Sequence, residues 1–218
     1  MSTIDKKTVS NIKSKLIDGI GLWSEVLTKN NYNGKPALFI DRDGTFIEDK
    51  GYLSNPKNIQ LIELSCSFIK KCNDNLIPVI VVTNQSGIGR GYYSWKEFYE
   101  VEITIRKKLK QHNIYLDMVC ACAYHSEGLT KFQKDNNLWR KPNTGMIKEA
   151  VKKLNIDLSR SWIVGDKLTD IDAGYNANLK GGIYLNIKNI DYKNYTKFNV
   201  VQKSDLSQLD WLIDELKS

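Results

Sequence analysis

Asp41-Arg42-Asp43-Gly44-Thr45 follows directly on the apolar run Ala37-Leu38-Phe39-Ile40. A short unbroken apolar run ending in acids is the pattern of a buried strand that delivers carboxylates to one edge of a sheet. Gly44 lets the chain turn away after the second acid. Two carboxylates two residues apart suit attack on phosphorus. The first serves as nucleophile, and the second protonates the leaving oxygen and later activates water. An ordinary turn can carry the same letters, so the weight rests on three further segments that arrive in order.

The first is Val79-Ile80-Val81-Val82-Thr83-Asn84-Gln85-Ser86-Gly87-Ile88-Gly89-Arg90-Gly91, an apolar strand running into hydroxyl and amide side chains and a glycine-rich loop. Thr83 and the backbone N–H groups after it suit phosphoryl oxygens. The second is Trp139-Arg140-Lys141-Pro142-Asn143-Thr144-Gly145-Met146. Here Lys141 suits a point charge on a transferring phosphoryl group, and Arg140 a bidentate contact to a second phosphate or to substrate oxygens. The third is Trp162-Ile163-Val164-Gly165-Asp166-Lys167-Leu168-Thr169-Asp170-Ile171-Asp172-Ala173-Gly174. Asp166 is placed to complete a carboxylate site for a hard cation, and Mg²⁺ prefers oxygen ligands and phosphate. Asp170 follows one turn later on the same helix face, and Asp172 fits a surface position.

Strands are expected at 37–40, 77–83, 118–124, 161–164 and 182–185, with helices near 63–74, 95–112, 144–154 and 170–177. Such alternation predicts an α/β fold, a parallel sheet flanked by helices. Ligands bind beyond the carboxyl ends of such strands, where all four motifs lie. Residues 3 to about 30 carry a broken helical stripe: Ile4, Ile12, Leu16, Ile20, Trp23 and Leu27, interrupted at Gly19 and Gly21. Leu206, Leu209, Leu212, Ile213 and Leu216 predict a closing helix over 204–216. We therefore expect an N-terminal helical extension, 1–36, and a main domain, 37–218.

The 218 residues are 41% hydrophobic and carry a formal charge of +7. No stretch reaches membrane-spanning length, and the polar N-terminus lacks a signal-peptide core, so a cytoplasmic location is expected. Lys and Asn are spread evenly and no block of five basic residues occurs. That pattern argues for a solvated surface and an anionic substrate, and against a nucleic-acid partner. Cys66, Cys72, Cys120 and Cys122 suggest buried free thiols rather than a disulfide framework.

With the four motifs in order, residues 37 to about 190 resemble the haloacid dehalogenase superfamily of phosphohydrolases. The strings DRDGT, GYL (Gly51 to Leu53), TNQSGIGRG, RKPNTGM and VGDKLTDIDAG are similar to those of the D-glycero-D-manno-heptose 1,7-bisphosphate 7-phosphatases and histidinol-phosphate phosphatases. The resemblance implies a Rossmann-like core without a large cap domain, and Mg²⁺ dependence. It casts Asp41 as the nucleophile that becomes an aspartyl-phosphate. Asp43 is then acid and base, Thr83 and Lys141 stabilise the phosphoryl group, and Asp49, Gly51, Tyr52, Asn84, Gln85, Ser86, Arg140 and Lys167 contact substrate. Asp41, Asp43 (by its backbone carbonyl) and Asp166 become metal ligands.

One part of the family pattern is broken. Members commonly hold a structural zinc before the RKP motif through Cys-x-His and Cys-x-Cys. Here Cys122 keeps the first position, while Tyr124, Asn137 and Trp139 stand at the others. One ligand cannot hold zinc tetrahedrally. Cys120, Cys122 and His125 offer no evident fourth partner, so a metal-free loop over 125–139 is expected, packed by Phe132, Leu138 and Trp139. The leading expectation is hydrolysis of the 7-phosphate of a heptose bisphosphate in surface-glycan assembly, by a monomer or weak homodimer. Histidinol-phosphate hydrolysis is a close alternative. DNA 3′-phosphatases share the TNQ loop and the RKP-x-TGM string, making nucleic-acid end processing a second class. A non-catalytic binding protein on a retained scaffold is a third.

Overall fold

The computed structural model describes residues 6–187 and 195–217. Seven strands form one sheet: β1 (Leu22–Val26), β2 (Leu38–Ile40), β3 (Val79–Asn84), β4 (Met118–Cys122), β5 (Trp162–Gly165), β6 (Gly181–Leu185) and β7 (Asn199–Lys203). The order is β1-β4-β3-β2-β5-β6-β7. All neighbours are parallel except β1, which runs antiparallel to β4. β2, β4 and β5 are buried at every residue, as expected of strands covered on both faces.

The helices are α1 (Lys6–Lys15), α2 (Glu63–Asp74), α3 (Ser86–Gly89), α4 (Trp95–Gln111), α5 (Gly145–Leu154), α6 (Leu168–Asn176) and α7 (Asp210–Glu215). One face of the sheet is packed by the Phe68, Ile69, Phe98 and Ile105 side of α2 and α4. The other is packed by Met146, Ile147, Ala150, Ile171 and Ala173 of α5 and α6. Local chemistry starts α4 sharply. Ser94 Oγ accepts from Lys96 N–H at 3.1 Å, and Glu97 Oε2 accepts from Ser94 N–H at 2.9 Å, a capping box.

β2 is the pivot of the sheet. The chain leaves it to build β3 on one side and later returns to place β5 on the other. The carboxyl end of β2 is therefore the switch point, where an α/β sheet opens a crevice.

Two segments differ from expectation. The helix expected over residues 3 to about 30 holds only for Lys6–Lys15; Ile4 lies outside the described residues. Asp18 Oδ1 then accepts from the N–H groups of Ile20, Gly21 and Leu22, turning the chain into the edge strand β1. Trp23 of β1 is fully buried against Trp95 and Phe98. Leu206 and Leu209 are buried as expected, but the closing helix spans only Asp210–Glu215, and β7 precedes it.

Candidate active site

β2, β3 and β5 deliver Asp41, Thr83 and Asp166 to the switch point. Asp41 is buried, and its N–H donates to Val164 O at 2.9 Å, so β5 fixes the chain as it turns. Lys141 Nζ, also buried, donates to Asp41 Oδ1 at 2.7 Å and to Val82 O at 2.6 Å, and pairs with Asp170 Oδ1 at 2.5 Å. Its backbone is clamped by Asn84, whose Oδ1 accepts from Lys141 N–H and whose Nδ2 donates to Lys141 O, both at 3.1 Å. Asn84 is therefore engaged in holding the lysine. Burial opposes the ammonium charge, but Asp170 and Asp41 push Lys141 up to about 12. Burial, with Asp170 and Asp43 adding to it, pushes Asp41 up to about 6 against the pull of Lys141.

Asp41, Asp166 and Asp170 place one carboxylate oxygen each within 4.8 Å of one another. Asp166 Oδ1 is buried and accepts no hydrogen bond from the described residues. Burial, followed by the Asp41 charge, pushes Asp166 up to about 6. Three converging carboxylates with one orphaned oxygen fit a hard divalent cation, which would neutralise them together. Asp41 and Asp166 are the residues whose side chains would hold it, with Asp170 held beside them by Lys141. Gly44 makes the close approach possible. It adopts φ +82°, and a Cβ there would lie 2.5 Å from Asp166 Oδ2.

Asp43 is held by a buried network that sequence reasoning missed. Arg42 Nε and Nη2 both reach Asp43 Oδ2 at 3.0 Å, while Nη1 donates to Glu102 Oε1 of α4 at 2.8 Å. Burial alone would lower the guanidinium; Asp43 and Glu102 reverse that and raise it. Gln85 Nε2 donates to the same Asp43 Oδ2 at 2.9 Å and to Thr83 Oγ1 at 2.8 Å. Gln85 Oε1 in turn accepts from Arg42 Nη2 and Tyr93 OH. These donors all converge on Asp43 Oδ2. The only local signal was an arginine inside a buried strand end, and its partner Glu102 lies 60 residues away.

A cleft of about 260 Å³ opens beside Asp43, lined by Asp49, Gly51, Tyr52, Asn84, Gln85, Ser86, Tyr93 and Lys167. Seven of the expected contact residues thus share one wall. Arg140 lines a neighbouring cleft of about 280 Å³ with Ser126, Lys134 and Lys141, and its Nη1 donates to Tyr124 O at 3.3 Å. Asp49 Oδ1 accepts from Gly51 N–H at 2.8 Å, and Lys167 Nζ lies 3.6 Å from Asp49 Oδ2. Asp172, expected at the surface, is half-buried and accepts from Tyr195 OH at 2.7 Å.

The loop over 125–139 is pinned by Asn137, which is buried. Its Oδ1 lies 3.8 Å from Cys122 Sγ and accepts from Trp139 N–H at 2.9 Å. Tyr124 OH donates to Asp18 Oδ2 at 2.7 Å, so that ring ties the loop to the N-terminal segment. Phe132 is buried and Trp139 packs against the core, but Leu138 is 77% exposed and does not pack as expected. All four cysteines are buried free thiols.

A HAD-hydrolase-like family model matches residues 138–186. A D-glycero-β-D-manno-heptose-1,7-bisphosphate 7-phosphatase of Mesorhizobium japonicum is 48% identical over 147 residues, 67% of this chain and 68% of that one. Its counterpart in Pasteurella multocida is 36% identical over 84% of this chain and the whole of its own. Among solved structures, a HAD-like phosphatase from Mesorhizobium loti superposes with a TM-score of 0.84 at 39% identity, over 90% of this chain and 93% of its own. The fold is also shared with the D,D-heptose 1,7-bisphosphate phosphatase of B. bronchiseptica, solved with magnesium and phosphate (TM-score 0.61, 23% identity, 68% of this chain and 79% of that one). With its carboxylate-tipped strands and these relatives, the chain is a phosphatase and belongs to the haloacid dehalogenase-like family that includes the heptose-bisphosphate phosphatases.

Proposed function

We propose that this phosphatase removes the 7-phosphate of D-glycero-D-manno-heptose 1,7-bisphosphate through an aspartyl-phosphate on Asp41, with Mg²⁺, in the heptose supply for a surface glycan. The observation that carries the chemistry is the buried Asp41–Lys141 pair at 2.7 Å, with Asp166 and Asp170 converging on the same point. The names of the relatives carry the substrate.

Asp41 attacks phosphorus and the bond from phosphorus to the sugar oxygen breaks. Asp43 Oδ1 gives its proton to that oxygen. Lys141 and Thr83 face the charge on the phosphoryl oxygens, a preorganised counter-charge in a dry pocket. Asp43, now a carboxylate, takes a proton from water; the hydroxide attacks phosphorus, releasing phosphate and restoring Asp41. Bound Mg²⁺ supplies charge neutralisation between the carboxylates and the phosphoryl group. Asp49, Gly51, Tyr52, Gln85, Ser86 and Lys167 line the sugar's cleft, with Arg140 reaching the substrate from the neighbouring one. The 125–139 loop keeps its shape through Asn137 without zinc.

The test is phosphate release, with Mg²⁺ and with EDTA, from both anomers of heptose 1,7-bisphosphate, from histidinol phosphate and from a 3′-phosphorylated oligonucleotide. Selective Mg²⁺-dependent turnover of a heptose bisphosphate is the expected result. Preference for histidinol phosphate or the oligonucleotide overturns the substrate assignment. A steep fall in rate with salt would accompany the oligonucleotide case.

A further inference from the structure

Arg90 ends the glycine-rich turn, and its guanidinium bridges two walls of the site. Nη1 donates to Tyr52 OH at 3.0 Å, and Tyr52 lines the Asp43 cleft. Nη2 donates to Glu127 Oε2 at 2.7 Å on the 125–139 loop. Tyr52 is itself fixed, with φ +46° and its ring 4.6 Å from that of Tyr92.

The donors here outnumber the acceptors. Arg90 Nε is buried with no partner among the described residues. His125 Nδ1 accepts from Glu127 N–H at 3.0 Å, so the proton of the neutral imidazole sits on Nε2. That Nε2–H faces Arg90 Nη2, another donor, at 3.2 Å. Arg140 adds a second guanidinium nearby: burial lowers it, and the Arg90 charge lowers it further. His125 is likewise held low by burial and by Arg140 and Arg90. Against this stands Glu127, whose side chain is 73% exposed. An exposed carboxylate is a weak, solvent-screened counter-ion. Two donors facing each other, an orphaned Nε–H and surplus positive charge describe a place for an anion with several acceptor oxygens.

We propose that Arg90, with His125 beside it, binds the phosphate of the substrate that is not hydrolysed, and that Glu127 is the placeholder this phosphate displaces. The inference rests on the substrate being a sugar bisphosphate. Tyr52 makes the path continuous, since the one side chain both lines the reacting cleft and touches Arg90. A dianionic phosphate supplies acceptors to Arg90 Nη2 and His125 Nε2 together, which Glu127 does not.

The experiment compares kcat/KM for heptose 1,7-bisphosphate with that for heptose 7-phosphate, the same sugar lacking the second phosphate, using the full chain with Mg²⁺. Arg90→Gln is expected to lower the bisphosphate-to-monophosphate ratio by tenfold or more, chiefly through KM. Glu127→Gln is expected to raise the ratio by removing the competitor. An unchanged ratio in Arg90→Gln overturns the assignment. Should that variant not fold, Arg90→Lys keeps the charge and loses the fork, and a wild-type ratio there overturns it equally. A wild-type enzyme that prefers another sugar bisphosphate refutes the heptose reading; the Arg90 assignment then stands if Arg90→Gln lowers that sugar's bisphosphate-to-monophosphate ratio tenfold and falls if the ratio is unchanged. A wild-type enzyme with no preference for any bisphosphate over its monophosphate refutes the Arg90 assignment itself.

Discussion

Replacing Asp166 by Asn should stabilise the metal-free protein while removing its response to Mg²⁺. In the fold, Asp166 Oδ1 is buried without a hydrogen bond from the described residues, beside the carboxylates of Asp41 and Asp170. Burial, then Asp41, raises its pKa from the ordinary 3.8 to about 6. At 1.36 kcal/mol per pH unit that rise costs the ionised protein at most about 3 kcal/mol. The side chain is 21% exposed, and screening on the open side reduces the cost to about 1–2 kcal/mol. For a chain of this size that corresponds to a Tm rise of about 2–8 °C in the variant. The sign follows from linkage. Well below pH 3.8 the carboxyl is protonated in both folded and unfolded states, so wild type carries no penalty there. As the pH rises past 3.8 the unfolded chain ionises first, so the penalty builds from there to about 6, where the folded state ionises too, and is complete above pH 7. Thermal unfolding in EDTA at pH 4 and pH 7.5 should therefore show a small part of the gain at the lower pH and the full gain at the higher. Added Mg²⁺ should raise the wild-type Tm at pH 7.5 and raise the variant's far less. A variant equal to or less stable than wild type in EDTA at pH 7.5, or one with an undiminished Mg²⁺ shift, would refute the reasoning.

The same titration predicts that protons compete with Mg²⁺, so apparent affinity by calorimetry should be roughly tenfold weaker at pH 5 than at pH 8; a flat profile contradicts it. Asp41→Asn should abolish turnover while circular dichroism shows the fold intact, and turnover by that variant at the wild-type rate would remove Asp41 as nucleophile. Arg42→Met should destabilise by about 3–5 kcal/mol in urea, since it leaves the buried Glu102 and its neighbour Asp43 without their counter-charge; a loss under 1 kcal/mol would contradict that. Gly44→Ala should weaken Mg²⁺ binding more than it lowers Tm, because the added Cβ lands 2.5 Å from Asp166 Oδ2; unchanged Mg²⁺ affinity would show that the turn yields.

The parallel core was legible because its strands are short apolar runs that end in chemistry. Ala37–Ile40, Val79–Val82 and Trp162–Val164 carry no charge until the sheet ends, and each then offers Asp41, Thr83 or Asp166. β1 was illegible for a physical reason. Its buried face alternates Trp23 with Glu25, and Glu25 is tolerated only because Lys15 and Arg106 reach it at 3.1 Å. A charged residue at a buried position erases the two-residue period, while Leu16, Ile20, Trp23 and Leu27 happen to fall at helical spacing. β7 is a half-exposed edge strand with Val200 and Val201 as its only apolar residues, too little pattern to read. In the site, residues at strand ends could be placed from sequence, since the fold dictates where a strand end lies. The Arg42–Glu102–Gln85 support and the Arg90–His125 pair could not, because each joins side chains from distant elements whose contact only the packed structure shows.

Transfer of the phosphoryl group to Asp41 is the central claim, and rapid-quench labelling tests it most directly. Substrate carrying ³²P at the hydrolysed position is mixed with enzyme and Mg²⁺, quenched in acid within one turnover, and the label is mapped to a peptide. The account predicts acid-stable, alkali-labile label on the peptide containing Asp41, and none in Asp41→Asn. Label on any other peptide, or a burst of free phosphate from Asp41→Asn at the wild-type rate, would contradict it.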